Sequence, residues 1–308
     1  MQGSGTFSVE AVLGTAVPAE GKILILANGA YGERMAQIAN RLRIPSLVLR
    51  CPETERHDPE QVRTALRDDR SITHVALAHC ETTTGILNDL DGMAAVVRDA
   101  DRCLIVDAMS SFGGIPMDAA VLGIDFLISS SNKCLQDVPG FGLVVARTSS
   151  MEPCAGRARS LSLDVFDQWQ TMERDNGKWR FTSPTHVVRA FAQALQELAE
   201  EGGVGARHTR FRANHRTLVE GMSALGFACL LPAELRSPFI TSFLAPSEPG
   251  FDFRRFYDEL KSRGFVIYPG KVSQADTFRM GTIGDVTPKT MDTLLAAIRA
   301  SLYWRMPA

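Results

Sequence analysis

The sequence lacks long hydrophobic runs and an excess of either charge. Its longest apolar runs, such as Lys22 to Ala27, have the length of a strand, whereas a membrane-spanning helix needs roughly 20 apolar residues. The 33 basic and 35 acidic side chains leave a net charge of -2, so no overall field attracts nucleic acid or an anionic membrane. The sequence therefore predicts small-molecule partners, with no nucleic acid and no membrane.

Cysteine and histidine are scarce, and their spacing does not fit a metal site. The six cysteines contain no C-x-x-C pair and the six histidines no H-E-x-x-H pair. The first residues, Met1 to Thr6, lack the basic and then apolar regions of a secretory signal. We therefore expect no metal, reduced thiols and a cytoplasmic protein.

Short aliphatic runs recur up to about residue 147, each followed by small polar residues and then by a helical pattern. This order is typical of parallel β-α-β units, so the sequence predicts an α/β fold with a mostly parallel central sheet. The predicted strands are Lys22 to Ala27, Ser46 to Arg50, Thr73 to His79, Cys103 to Asp107, Asp125 to Ser129 and Gly142 to Arg147. The predicted helices between them include Gly32 to Leu42, Pro59 to Asp68 and Leu90 to Asp99.

The second half of the chain has a different pattern. Two amphipathic helices span about 186 to 225, with Glu201-Gly202-Gly203 as the stop between them. Beyond them the predicted strands are Phe239 to Leu244, Gly264 to Ile267 and Thr277 to Gly281, and the predicted helices lie near Phe253 to Arg263 and Pro288 to Tyr303. We expect a large α/β domain at residues 1–205 and a smaller C-terminal α+β domain at residues 206–308.

Two chemically distinctive side chains follow neighbouring predicted strands. Asp107 ends one strand and Lys133 follows the next, 26 positions later. Taken alone, Asp107 is better explained as a capping or turn residue, and Lys133 is equally well explained as a surface lysine. In parallel sheets, however, ligands bind beyond the carboxyl ends of the strands, so one ligand can touch both. Pyridoxal 5'-phosphate needs such a pair, a lysine amine for its aldehyde and a carboxylate for its pyridine nitrogen.

The N-terminal turn Gly3-Ser4-Gly5-Thr6 precedes a helical stretch that is predicted to begin near Phe7. Backbone N–H groups at a helix start, together with two hydroxyls, can hold a phosphate. The chain has no strand before this turn and no G-x-G-x-x-G or P-loop pattern there, which argues against a dinucleotide or triphosphate.

Several longer motifs carry a resemblance to a known family. They are Gln2-Gly-Ser-Gly-Thr-Phe7, Asn28-Gly-Ala-Tyr-Gly32, Asp107-Ala-Met-Ser-Ser-Phe112, Ser131-Asn-Lys-Cys134, Pro139-Gly-Phe-Gly142, Gly177-Lys-Trp-Arg-Phe-Thr-Ser-Pro-Thr-His186 and Tyr268-Pro-Gly-Lys-Val-Ser273. Over essentially its whole length the chain resembles the 2-aminoethylphosphonate:pyruvate aminotransferases, a class-V-like group of fold-type-I pyridoxal-phosphate enzymes. The resemblance implies the fold of those transferases, with a large cofactor-binding domain and a smaller C-terminal domain.

The resemblance also implies roles for individual residues. Lys133 corresponds to the Schiff-base lysine and Asp107 to the partner of the pyridine nitrogen. The other matched positions are Ser4, Gly5 and Thr6 for the phosphate, Tyr31 stacked on the cofactor, Thr82 beside it, Thr182 reaching the phosphate of the neighbouring subunit, and Arg279 for the anionic end of the substrate. Thr182 thereby implies a homodimer with shared active sites. A core tyrosine at Tyr31, a helix cap at Thr82 and a surface arginine at Arg279 are the simpler alternatives.

The implied reaction transfers an amino group from 2-aminoethylphosphonate to pyruvate, giving phosphonoacetaldehyde and L-alanine. Three alternatives stay open: a related aminotransferase with another amino donor, such as the alanine:glyoxylate type; a truncated homologue with little or no activity; and a generic phosphate-binding α/β protein. The second arises because family members carry a further segment, with a Pro-Gly-Pro motif, before the turn that here follows Met1 directly.

Overall fold

The computed structural model describes residues 1–270 and 275–305 of the chain. Its strands are β1 (Lys22–Ala27), β2 (Ser46–Arg50), β3 (Ile72–Ala78), β4 (Cys80–Glu81), β5 (Ile86–Leu87), β6 (Cys103–Asp107), β7 (Phe126–Ser130), β8 (Gly142–Ala146), β9 (Ile240–Leu244), β10 (Tyr268–Pro269) and β11 (Thr277–Gly281). Its α-helices are α1 (Gly5–Ala16), α2 (Ala30–Arg41), α3 (Pro59–Asp68), α4 (Leu90–Asp99), α5 (Ala119–Leu122), α6 (Thr148–Met151), α7 (Val165–Arg174), α8 (Thr185–Glu200), α9 (Gly203–Ala224), α10 (Phe253–Ser262) and α11 (Pro288–Ala300).

Six strands form the central sheet, in the order β2-β1-β3-β6-β7-β8. The first five run parallel to one another, and β8 pairs antiparallel to β7 at the edge. Successive residues of β1 face opposite sides: Ile23 packs with α1 and α2, while Leu24 packs with α3 and α4. Because helices cover both faces, the inner strands β1, β3, β6 and β7 are mostly apolar and buried on both sides. The predicted α/β fold with a mostly parallel sheet is confirmed.

A second, antiparallel sheet of three strands, in the order β10-β11-β9, lies in the C-terminal part. Its core is aromatic, with the rings of Phe243 and Phe278 5.7 Å apart and stacked. Side chains from α9, α10 and α11 complete this core. The two sheets therefore have separate hydrophobic cores. The predicted domain boundary between residues 205 and 206 falls inside α9, and the division into two domains stays a prediction.

Several predicted bounds differ from the observed ones by one or two residues, and three differences have a local structural reason. The strand expected at Gly264 to Ile267 is instead Tyr268–Pro269, because the N–H groups of Gly264 and Phe265 still bond to carbonyls at the end of α10. Helix α11 ends at Ala300, and only a short 3-10 turn follows at Tyr303–Arg305.

The third concerns the first helix, which begins at Gly5 rather than near Phe7. The Phe7 N–H already bonds to the carbonyl of Ser4, 3.0 Å away, and closes the first turn there. Gly5 and Thr6 consequently lie within the first helical turn.

Within the two described ranges, none of the helices combines the length and the apolar character that crossing a membrane requires.

Candidate active site

A cavity of about 240 Å³, lined by both polar and apolar groups, lies between the ends of β3, β6 and β7 and the N-terminus of α1. Six of the nine residues proposed from the sequence line it: Ser4, Gly5, Thr6, Tyr31, Asp107 and Lys133. The sheet order explains this meeting, because parallel neighbouring strands bring their carboxyl ends to one edge. A larger cavity, of about 330 Å³, lies beyond β8 and is lined mostly by apolar side chains.

Asp107 is the last residue of β6, a strand paired on both sides. Its side chain is buried, and one carboxylate oxygen accepts the N–H of Met109 at 2.9 Å. Burial raises the pKa of Asp107 to about 6, against the opposing effects of that hydrogen bond and of the Arg34 charge. A carboxylate in this position is well suited to bind a protonated ring nitrogen.

Lys133 lies in a tight turn after β7, and its carbonyl accepts the N–H of Gln136 at 2.9 Å. The next residue, Cys134, is fully buried, and its carbonyl accepts a hydrogen bond from Arg207 at 2.9 Å. The Lys133 amine faces the cavity and makes no hydrogen bond or ion pair with the described residues. The backbone around the lysine is thus fixed, while the amine is available to a ligand.

The N-terminus of α1 forms another side of the cavity. Its N-cap residue, Ser4, makes no side-chain capping bond within the described chain, and the first turn contains no acid. Gly3 before it has φ +98°, a conformation that glycine adopts without strain, and donates its N–H to the Gly140 carbonyl at 3.0 Å. An uncapped helix start aimed at a cavity is suited to bind a phosphate.

Thr82 and Arg279 lie next to the cavity rather than among its lining residues. The Thr82 hydroxyl is 2.8 Å from the hydroxyl of Tyr31. Arg279, on β11, is buried and donates through Nη1 to the Thr82 carbonyl at 2.7 Å and through Nε to the Pro269 carbonyl at 3.1 Å. Burial lowers the pKa of Arg279. These contacts bring the C-terminal sheet to the edge of the cavity.

Thr182 is exposed and does not line the cavity of its own chain. Its carbonyl accepts a hydrogen bond from the Gln2 side chain at 3.0 Å, which places it close to the N-terminal turn. The motif Tyr268 to Ser273 is described only as far as residue 270, and residues 271–273 lie outside the described part.

Two charged residues at this site were not predicted from the sequence. Arg34 lines the cavity, donates to the Thr6 hydroxyl at 3.3 Å and has its guanidinium carbon 5.1 Å from the centre of the Tyr31 ring. Helical spacing could have revealed it, because residues 31 and 34 share one face of a helix. The other is Glu81, a fully buried acid whose carboxylate accepts the backbone N–H groups of Tyr31 and Gly32.

The family model for class-V aminotransferases matches residues 1–307. The chain belongs to the class-V aminotransferases. A Syntrophobacter fumaroxidans protein is 63% identical over 303 residues, covering 98% of this chain and 82% of its own. Similar proteins from Bacteroides fragilis (60% identical, 98% of this chain and 83% of its own) and Vibrio vulnificus (57% identical, 99% and 83%) bear the same name, 2-aminoethylphosphonate–pyruvate transaminase. The resemblance inferred from the motifs is therefore confirmed.

Solved aminotransferase structures share the fold. Alanine–glyoxylate aminotransferase from Nostoc superposes with a TM-score of 0.89 at 26% identity, covering 97% of this chain and 80% of that one. Ureidoglycine–glyoxylate aminotransferase from Bacillus subtilis gives 0.89 at 24% identity, covering 98% and 79%. The fold-type-I transferase architecture expected from the resemblance is confirmed.

Class-V aminotransferases use pyridoxal 5'-phosphate, and the cavity fits this cofactor. The amine of Lys133 and the carboxylate of Asp107 line one space, with the uncapped start of α1 beside them. Moreover, the hydroxyl of Ser130, another lining residue, is buried and has no partner among the described residues. Buried hydroxyls normally have partners, so this one is a polar group that a bound cofactor could satisfy.

Proposed function

We propose that the protein catalyses the transamination of 2-aminoethylphosphonate with pyruvate, giving phosphonoacetaldehyde and L-alanine. The observation that carries the proposal is identity of 55–63% over 98–99% of the chain to proteins named 2-aminoethylphosphonate–pyruvate transaminase. The single cavity that joins a lysine amine, a buried carboxylate and an uncapped helix start supports it.

Each lining group has a proposed task toward pyridoxal 5'-phosphate. When bound, the cofactor supplies an aldehyde for amino groups and an electron-withdrawing pyridine ring. The N-terminal turn of α1, with Ser4, Gly5 and Thr6, would hold the phosphate by backbone N–H groups and hydroxyls. Asp107 would keep the pyridine nitrogen protonated, and Tyr31 would cover one face of the ring.

Lys133 is the proposed covalent attachment point and the base of the reaction. Its Nζ, which has no counter-ion in the described chain, would take the proton from the donor carbon that carries the amino group. Thr82 would remain close to the cofactor through its contact with the Tyr31 hydroxyl.

Arg279 is the proposed binding group for the anionic end of each substrate. Its Nε and Nη1 are held by carbonyls, while Nη2 has no partner among the described residues. A planar guanidinium binds both carboxylate and phosphonate oxygens, so the same side chain would serve the aminophosphonate and the oxo acid in turn.

A homodimer is the proposed assembly, in which Thr182 would reach the phosphate in the neighbouring subunit. The exposure of Thr182 and its position outside its own cavity support this role. A large domain at 1–205, a small domain at 206–308 and a cytoplasmic location complete the proposal. Light scattering of the purified protein tests the assembly, and a monomeric mass with full activity would contradict it.

Borohydride reduction followed by peptide mass measurement tests the attachment point. We expect the mass of reduced pyridoxal phosphate on the peptide that contains Lys133. An adduct at another lysine would contradict the role of Lys133. Absence of any adduct would support the alternative of a homologue without catalytic function.

A donor panel tests the substrate. 2-Aminoethylphosphonate and serine are each supplied with pyruvate, all three donors including alanine are supplied with glyoxylate, and the oxo product of the donor is measured. We expect 2-aminoethylphosphonate with pyruvate to give the highest kcat/KM. A higher value for alanine with glyoxylate would instead identify the related alanine:glyoxylate type.

A further inference from the structure

Helix α2 begins without a capping side chain of its own. Its N-cap residue is Gly29, which follows β1 after only one residue. The first N–H groups of a helix have no partner inside the helix, and a serine, threonine, aspartate or asparagine at the N-cap accepts the N–H of the second or third helical residue. Here the cap must come from elsewhere in the chain.

The carboxylate of Glu81 supplies that cap. Its Oε1 accepts the N–H of Gly32 at 2.8 Å, and both of its oxygens lie 3.1 Å from the N–H of Tyr31. These are the second and third residues of the helix, the same two positions that an N-cap aspartate would satisfy. Glu81 reaches them because β3, which precedes it, is the direct neighbour of β1 in the sheet.

The glycine at the N-cap is explained by this carboxylate. A Cβ atom at Gly29 would lie 2.5 Å from Oε2 of Glu81, so the carboxylate could not keep its position beside a side chain there. The φ of Gly29 is 174°, extended backbone that any residue adopts. A side chain at position 29 would therefore displace the Glu81 carboxylate without straining the backbone.

Glu81 and Thr82 together hold Tyr31 at two points. Glu81 binds the backbone N–H of Tyr31, and the Thr82 hydroxyl lies 2.8 Å from the hydroxyl at the far end of the same ring. The Thr82 carbonyl also accepts the hydrogen bond of Arg279. One dipeptide, in which Glu81 is buried and Thr82 half-buried, thus contacts both the aromatic residue at the cavity and the arginine beside it.

We propose that Glu81 is a positioning residue that fixes Tyr31, through the N-terminus of α2, in the orientation that binds the cofactor ring. This inference rests on the proposed role of Tyr31 in the transaminase. Glu81 itself does not line the cavity; it acts through the backbone of the residue that does. A preorganised ring binds its ligand without the entropy loss of first becoming ordered, so losing Glu81 should weaken cofactor binding.

The test measures the binding of pyridoxamine 5'-phosphate to cofactor-free protein by calorimetry. This form of the cofactor carries an amine instead of the aldehyde, so its affinity does not depend on a covalent bond to Lys133. We expect Glu81→Ala to weaken binding about 10-fold, the size of effect that losing a helix cap produces. Glu81→Gln, which retains the oxygen that accepts both N–H groups, should lose less.

A relocated carboxylate provides the decisive variant. In the double variant Gly29→Asp with Glu81→Ala, an ordinary N-cap aspartate offers its carboxylate to the same two N–H groups. We expect it to restore most of the lost affinity. The matched control is Asp164→Ala, which removes a buried acid that caps α7 through the N–H of Asp167. It should lower the melting temperature without changing the affinity.

Unchanged affinity in Glu81→Ala, or an equal loss in Asp164→Ala, would overturn the positioning role while the transaminase proposal stands. If Glu81→Ala does not fold, the double variant decides: folding with restored binding supports the role, and failure to fold or bind overturns it. A wild-type protein that binds neither pyridoxamine phosphate nor pyridoxal phosphate would overturn the proposed function, and this role with it.

Discussion

The two sheets of the protein bury different side chains and contribute differently to the site. The six-stranded sheet has an almost entirely aliphatic core, and buried polar groups such as Glu81, Asp107 and Ser130 gather where its strands end. The three-stranded sheet has an aromatic core and sends one charged side chain, Arg279, toward the cavity.

Strand direction explains why polar groups gather at the strand ends of the first sheet and not of the second. Parallel strands all end at the same edge, so the residues that follow them are concentrated in one place. Antiparallel strands end alternately at opposite edges and create no such concentration. We therefore expect covalent and proton-transfer chemistry to depend on the first region, and substrate affinity and folding stability to be sensitive to the second.

The largest effect is expected for Lys133→Ala in the first region. Without the amine, transamination of 2-aminoethylphosphonate should fall about 10⁴-fold or more, because both covalent attachment and proton transfer are lost. The coupled formation of L-alanine measures the rate. Lys261→Ala, on α10 in the other region, is the control and should keep normal turnover; comparable losses in both variants would contradict the assigned division of labour.

In the second region, Phe243→Ala should produce the largest loss of stability. The Phe243 ring is fully buried and stacks on Phe278, so its removal should lower the free energy of unfolding by about 3–5 kcal/mol. Urea unfolding of the cofactor-free protein measures this. The neighbouring Leu244, which is 38% exposed, is the matched position: Leu244→Ala should cost much less, and similar costs at both positions would refute the inferred core.

A pH dependence should distinguish the polar edge of the first region. Burial raises the pKa of Glu81 to about 7; Asp107 acts in the same direction, and the helix N–H groups and Arg34 oppose it. Between the lower pKa of Glu81 in the unfolded chain and about 7, the folded protein therefore keeps a proton on Glu81 that the unfolded chain has released. The stability that this proton contributes is therefore fully present at low pH and is lost as the pH rises through about 7.

The measurement compares cofactor-free wild type with Glu81→Gln from about pH 4 to 8. The free energy of unfolding of the wild type, minus that of Glu81→Gln, should fall by on the order of 3 kcal/mol as the pH rises. The comparison with the variant is needed because four histidines make the protein more stable, not less, as the pH rises. Burial lowers the pKa to about 4 for His57, His74, His79 and His215. A difference that stays constant across this range would show that Glu81 does not carry the shifted proton.

The smallest of these effects is expected for Arg279→Lys, where the two regions meet. Lysine keeps the charge but loses the planar fork held by the carbonyls of Thr82 and Pro269. We expect kcat/KM to fall about 10²-fold for both substrates, mainly through KM. Arg299→Lys, in the last turn of α11, serves as the control, and a loss confined to one substrate would mean that Arg279 does not serve both.

Strand prediction succeeded where an apolar run ends sharply. The bounds of β1, β2, β6 and β11 agree with the predicted ones, and in the first three a polar residue closes or directly follows the apolar run. The strand expected at residues 264–267 failed because the end of α10 uses the backbone N–H groups there. Hydrogen bonds that close a helix cannot be inferred from hydrophobicity alone.

The meeting of Lys133 and Asp107 at one cavity could be predicted from the sequence. Asp107 ends one recognisable strand and Lys133 follows the next, and their convergence needs only parallel order. Glu81 was missed, although it also follows a strand, because its role depends on a helix 50 positions earlier in the chain. In the sequence, Glu81 has no feature that distinguishes it from other polar loop residues, because its contact with the start of α2 is a tertiary one.

The sequence by itself determined the fold class, the family and the chemical groups of the site, since local patterns and motifs encode these directly. Only the tertiary structure decided which distant groups touch. Arg279 reaches the carbonyl of Thr82 across 197 positions, and Glu81 rather than residue 29 caps α2. Such contacts arise from sheet order and from the packing of one sheet near another, which no local stretch of residues specifies.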